Sequence, residues 1–273
     1  IVLTSFNELS PEIAKIASKF FENNWIDAEI RNGKDSGAYS HPCVPDVHPY
    51  ILMNYNGKSR DVMTLAHELG HGVHQVLASK NGYLLADTPL TLAETASVFG
   101  EMLVFQKLLS KADSKQEKNS MIAEKVEDML NTVVRQIAFH NFETSFHNKR
   151  KSNELTPDEI SEIWMETQSQ ALGDAINLDD SYKPLWSYIP HFVHTPFYVY
   201  AYAFGDCLVN SLWQVRLSGQ SSFTESYINL LKSGGKKHHR EALAPFGLDA
   251  SDPEFWNIGL NTISSLIDEL EAA

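Results

Sequence analysis

Cysteine is scarce, with only Cys43 and Cys207 in 273 residues. Two distant thiols suit neither a disulfide framework nor a thiolate metal site, so a reducing, cytoplasmic setting is the expected location. Long apolar runs are missing as well. The most hydrophobic stretch, Phe197 to Leu217, is broken by Gly205, Asp206, Asn210 and Gln214, which argues against a membrane span. A basic face is absent: 22 Lys and Arg stand against 35 Asp and Glu, for a formal charge of −13, and the longest cationic cluster is Lys149 to Lys151. Phosphate neutralisation needs more than that, so no nucleic-acid partner is expected, and the acidic shell favours neutral or cationic ones. No internal repeat, low-complexity tract or linker interrupts the chain. Its first residue is Ile1 rather than methionine, which suggests a processed or truncated chain. Oligomeric state is not set by any of these features.

What is present is a 43% hydrophobic share patterned mostly at helical spacing, enough to build a large core. Ser10-Pro11 reads as an N-cap followed by proline at the first helical position, leading into "EIAKIASKFFENNWIDAEI". Thr156-Pro157 repeats the signal, with Glu159 completing a capping box, and Asp252-Pro253 repeats it once more. Further helices are predicted over 60–79, where Ser59 supplies the cap and Gly82 the stop, over 91–111, over most of 114–149, and after Pro196. Only 33–57, with its glycines, prolines and the β-prone "YILMNY", reads as a small hairpin or ribbon. The expected architecture is mainly α, one helical unit over residues 1–273 with a small β ribbon before the helix that holds "TLAHELGHGVHQ".

That helix concentrates titratable chemistry. Residues four apart share a helix face, so His67 and His71 can turn imidazole nitrogens to one point, while Glu68 is rotated about 100° from His67 and flanks that point. This is the HExxH arrangement of two metal ligands and a general base. Two buried histidines and a solvated glutamate would give the same string without a metal. Apolar Val62, Leu65, Ala66, Leu69, Val73 and Val76 place the motif mid-helix. Gly70 and Gly72, each costing about 1 kcal/mol relative to alanine inside a helix, call for another backbone crossing closely. The longer HExxHxxGxxH signature needs glycine at position 74 and histidine at 77, where this chain has His74 and Leu77, so the metzincin class is excluded. His74 then reads as a core or cleft-wall residue. A catalytic zinc takes a third protein ligand. Glu94 in "TLAETASVFGEM" can supply it from a second helix, although Thr91 and Glu94 also match a capping box. Glu101, seven residues on, is either a competing ligand or an acceptor for a histidine N–H.

Three blocks, "GAYSHPCVPDVHPYILMNYNGKSRDVMTLAHELGHGVHQ", "LAETASVFGE" and "IPHFVHTPFYVYAYAFG", together resemble the oligoendopeptidase F branch of the thimet-oligopeptidase-like metallopeptidases. The resemblance implies a largely helical fold with a deep cleft, one zinc ion and oligopeptide substrates cleaved inside their chains. It implies His67, His71 and Glu94 as zinc ligands, Glu68 as general base, and His191 and Tyr198 as binders of the substrate carbonyl and its oxyanion. Tyr200 and His194 are expected as further substrate contacts. Helical spacing cannot put Tyr198, Tyr200 and Tyr202 on one face, so one or two of them point into the cleft. Members of the family are about twice this length, so the chain reads as a C-terminal catalytic part lacking one wall of the groove. The rival expectation is a catalytically impaired, metal-stabilised helical fragment that binds peptides. An exposed "YILMNY" strand that pairs with an extended peptide backbone would favour a peptide substrate over some other amide.

Overall fold

The structure is a computed structural model that describes residues 1–272. Helices α1 (Val2–Leu9) and α2 (Pro11–Glu22) meet at Ser10, whose hydroxyl accepts from the Glu12 amide. The helix expected to run on to Ile30 stops at Glu22 instead. Asn24 takes φ +56, a left-handed conformation that asparagine tolerates, and the chain turns into β1 (Ile26–Asp27). β2 (Tyr39–His41) and β3 (Tyr50–Leu52) follow. β3 lies in the middle, parallel to β1 and antiparallel to β2 with Ser40 opposite Ile51. The expected ribbon is therefore a three-stranded sheet. Because Tyr50–Leu52 pairs on both sides, "YILMNY" offers no free edge to a peptide, and β2 lies at the edge instead.

α3 (Ser59–Ala78) carries the HELGH sequence. Ser59 is its first helical residue rather than its cap. Asp61 reaches back to accept from the amides of Asn56 and Lys58, leaving no role for the Ser59 hydroxyl there. A short 3₁₀ turn, Ser79–Asn81, extends α3 to Gly82 at φ +76. The helix expected over 91–111 is two helices, α4 (Leu90–Ala93) and α5 (Ser97–Leu109), with Glu94 at the break. α6 (Lys115–Leu130) continues through a π-helical turn into α7 (Gln136–Arg150). α8 (Pro157–Leu172) has the Thr156 capping box. A 3₁₀ segment, α9 (His191–His194), α10 (Tyr200–Leu217), α11 (Phe223–Ser233), α12 (His239–Leu243) and α13 (Pro253–Glu271) complete the chain. Among the described residues no helix is long and apolar enough to cross a membrane.

Of the three buried apolar cores among the described residues, two flank the α9–α10 connection. The larger is built from α1, α2, α3, α5, α10 and α11, with Phe6, Phe20, Leu69, Phe99 and Tyr227 buried in it. The smaller joins α7 and α8 through Phe139, Phe142, Ile163 and Trp164. α10 links them: Leu208 and Leu212 belong to the first core, and Val199, just before the helix, belongs to the second. Side chains on α3 and α4 thus face side chains on the α9–α10 connection across the junction.

Candidate metal centre

α3 and α5 cross where a side chain is missing. A Cβ on Gly70 would lie 2.4 Å from the Ala96 carbonyl oxygen and 2.6 Å from the Ser97 Cα, so only glycine lets the second helix start there. The crossing expected over both glycines holds for Gly70. At Gly72 the neighbour is the Phe20 ring rather than a backbone. From the other side, a Cβ on Gly205 of α10 would lie 2.8 Å from the Glu94 Cβ. Glu94 is therefore seated between two helices, and the break between α4 and α5 turns its carboxylate toward α3. Thr91 sits inside α4, so the capping-box alternative for Glu94 does not apply.

The result is a near-equilateral triangle of donor atoms. His67 Nε2 and His71 Nε2 are 3.1 Å apart, and Glu94 Oε2 is 3.4 Å from the first and 3.3 Å from the second. A tetrahedral ion bonded at about 2.0–2.1 Å has ligand-to-ligand edges of about 3.3–3.4 Å, so the triangle has the dimensions of one tetrahedral face. Two imidazole nitrogens and one carboxylate oxygen are also a donor set that suits zinc. Among the described residues this is the one group of three His, Cys, Asp or Glu side chains that converges in this way.

The surroundings hold the donors in place. Glu101 Oε1 lies 2.5 Å from His67 Nδ1, which fixes the ring so that Nε2 faces the other two donors. Burial opposes a charge on His67, but the Glu101 hydrogen bond and the nearby carboxylates outweigh it and push its pKa to about 9 in the metal-free protein. Burial likewise opposes ionisation of Glu94, and its bond to His71 together with the fields of His71 and His67 overrides that, down to about 2. Ser97 donates its hydroxyl to Glu94 Oε2 at 2.6 Å. Glu68 is buried beside the triangle, and its Oε2 has no hydrogen-bond partner. Desolvation raises its pKa from the ordinary value.

Two cavities flank the donors. One of about 950 Å³ is lined by His67, Glu68, Glu101, Gly37 and Ala38, and one of about 710 Å³ by His71, His74, His41 and Tyr198. β2 runs between them, from beside Ala38 to His41, and is tied to α3 by a Ser40–Gln75 pair in which each side chain engages the other residue. The structure brings His191 and Tyr198 together, ring centroids 5.8 Å apart, on the α9–α10 connection. Tyr200 turns the other way, edge-on to His140 of α7, and His194 is exposed at the end of α9. Neither lines either cavity. Tyr202, four residues after Tyr198, has its hydroxyl 3.3 Å from His191 Nε2, and these two also lie outside the lining of both cavities, which only Tyr198 of this group reaches. The i, i+4 spacing of two tyrosines was the available signal for it.

A sequence pattern running from residue 7 to residue 262 matches Peptidase family M3. The chain belongs to peptidase family M3. Oligopeptidase PepF of Bacillus subtilis is 30% identical over 99% of this chain and 40% of its own length, and an oligoendopeptidase F homologue of Lactococcus lactis is 29% identical over 92% of this chain and 42% of its own. A crystallised candidate peptidase from Chlamydophila abortus superposes with a TM-score of 0.84 at 33% identity, covering 99% of this chain and 46% of the other. This M3 chain spans less than half the length of each of these three relatives.

Behind the donors the M3 chain buries a charge that its sequence does not advertise. Lys125, on the polar-looking α6, is 6% exposed, with Nζ 3.9 Å from Glu101 Oε2. Asp206 is buried nearby, and burial raises its pKa to about 6.

His74 lies outside the triangle, buried, with Nε2 3.2 Å from the Thr88 hydroxyl. Burial, helped by the field of His71, lowers its pKa from 6.5 to about 3. Only the unfolded chain binds a proton at this site between those values, so the stability that neutral His74 contributes is present above pH 6.5 and lost as pH falls below it. The stability gap between the wild type and His74→Gln should therefore shrink by about 2 kcal/mol between pH 7 and pH 5 in paired thermal melts. A gap that is constant with pH would show that His74 stays titratable in the fold.

Proposed function

We propose that residues 1–273 form the catalytic unit of a zinc endopeptidase that hydrolyses internal bonds of short oligopeptides. The observation that carries this reading is a donor triangle of tetrahedral dimensions beside a buried, unpartnered carboxylate oxygen. His67, His71 and Glu94 hold the metal, with Glu101 orienting His67. A zinc ion there supplies Lewis acidity, polarising a peptide carbonyl and making water a better proton donor.

The chain's own groups do the rest. Glu68, unpartnered and desolvated, takes a proton from the attacking water and later hands it to the leaving amine, acting first as base and then as acid. Tyr198 serves as donor to the oxyanion. Desolvation, with the field of Glu94, raises its pKa, so the phenol keeps its proton at neutral pH. His191, stacked on Tyr198 and bridged to Tyr202, supports the Tyr198 ring from behind. Cavities on both sides of the triangle leave room for substrate residues before and after the scissile bond, which supports internal cleavage. β2, the edge strand between those cavities, is placed to run beside an extended peptide.

The test is metal analysis of the purified chain, followed by incubation with an internally quenched oligopeptide with and without a chelator. One zinc per chain is expected, together with hydrolysis that the chelator abolishes and added zinc restores. A chain that holds zinc and peptide without cleaving would be a peptide-binding module. A chain that takes up no zinc would overturn the reading altogether.

A further inference from the structure

The α9–α10 connection is built around a residue in a conformation that L residues other than Asn and Asp seldom hold. Phe197 has φ +61, and phenylalanine lacks the side-chain hydrogen bonding that eases this region for asparagine. Such a residue persists only when its surroundings fix it. Here the fixing group comes from 54 positions earlier: Glu143 Oε1, on α7, accepts from the Phe197 amide at 2.8 Å. Glu143 is 1% exposed, and its Oε2 has no partner. A half-satisfied buried carboxylate is expensive to keep, and an apolar side chain would pack at less cost. The residue that follows the clamped amide is Tyr198. One helical turn further on, Tyr202 reaches back to His191 at the start of α9.

We propose that Glu143 is a positioning residue for the reaction: by clamping the Phe197 amide it holds the left-handed turn and so aims the Tyr198 phenol at the cavity wall formed by His71. It acts through the backbone and does not touch substrate. The inference rests on the assignment of Tyr198 as oxyanion donor, so the experiment separates the two.

Glu143→Ala, Phe197→Gly, the double variant and Tyr198→Phe are compared in the zinc-loaded chain by hydrogen exchange and by hydrolysis of a quenched peptide. In Glu143→Ala, exchange across 195–199 should quicken on the order of tenfold or more, the loss of one charge-assisted hydrogen bond, while α8 is unchanged. Turnover should fall by a similar factor with KM little altered. Glycine holds positive φ without a clamp, so adding Phe197→Gly to Glu143→Ala should recover several-fold of the lost turnover. A purely packing role for Glu143 gives no such rescue. Unchanged exchange over 195–199 in Glu143→Ala, or a turnover loss that Phe197→Gly leaves untouched, overturns the clamp. Full activity in Tyr198→Phe instead removes the donor assignment, and the exchange result still decides whether Glu143 holds the turn.

Discussion

Glu68→Gln should keep its zinc and lose hydrolysis by a factor on the order of 10²–10⁴, the range that a positioned proton carrier contributes. The substitution is close to isosteric, so it preserves packing at a site that is 5% exposed. It also spares the donor triangle, because a residue one position after His67 is turned about 100° around the helix. What the amide cannot do is accept the proton of the attacking water. Wild-type Glu68 suits that task for two reasons visible in its setting: no protein group occupies Oε2, and desolvation raises its proton affinity. Metal content by elemental analysis and kcat/KM on a quenched peptide decide the matter together. Near-full activity in the variant would remove Glu68 from the mechanism. Loss of zinc along with activity would instead make it part of the metal's support.

The parts of this molecule that were legible in sequence are those whose cause is local. Ser10, Thr156 and Asp252 cap their helices as expected, because an N-cap is decided by a side chain and an amide two or three residues apart. The pairing of His67 with His71 follows from one turn of helix. Where the expectation failed, a distant neighbour decides the outcome. The helix expected over 91–111 breaks at Glu94 because α10 and α3 press on that point from two sides, through Gly205 and Gly70. β1 is two residues long and exists because β3, 25 positions later, pairs with it, so no window of sequence could disclose it. The chain turns at Asn24, whose left-handed conformation ends the helix although apolar residues continue beyond it. Lys125 lies in a helix whose composition reads as a solvated face. Its burial comes from Glu101 and Asp206, which α5 and α10 bring to it. Tyr202 rather than Tyr200 meets Tyr198 and His191 for a simpler reason: Tyr198 precedes α10, and the residue one helical turn after it is 202.

Gly70→Ala should both destabilise the fold and loosen the metal, whereas Gly72→Ala should cost stability alone. Alanine is favoured over glycine in a helix interior by about 1 kcal/mol, so propensity alone predicts that both variants gain. Packing reverses the sign. The added methyl at position 70 would stand 2.4 Å from the Ala96 carbonyl oxygen and 2.7 Å from the Ala96 carbonyl carbon, backbone atoms at the start of α5 that cannot rotate away. Overpacking of this kind costs about 1–3 kcal/mol, and relief requires α5 to retreat from α3 as a body. Glu94 is only two residues before Ala96, so that retreat widens the triangle whose edges are now 3.1–3.4 Å. Zinc affinity should then fall on the order of 10–100-fold, as when the groups that orient a ligand are lost. At position 72 the same methyl meets the tip of the Phe20 ring at 2.5 Å, a side chain on α2 that carries none of the donors. Chelator competition at fixed pH and thermal melts of the metal-free proteins separate the two effects. Equal loss of zinc in both variants would mean that the α3–α5 crossing does not set the position of Glu94. Tighter packing with undiminished zinc affinity in Gly70→Ala would mean that the close approach of the two helices is not what holds the carboxylate in reach of the imidazoles.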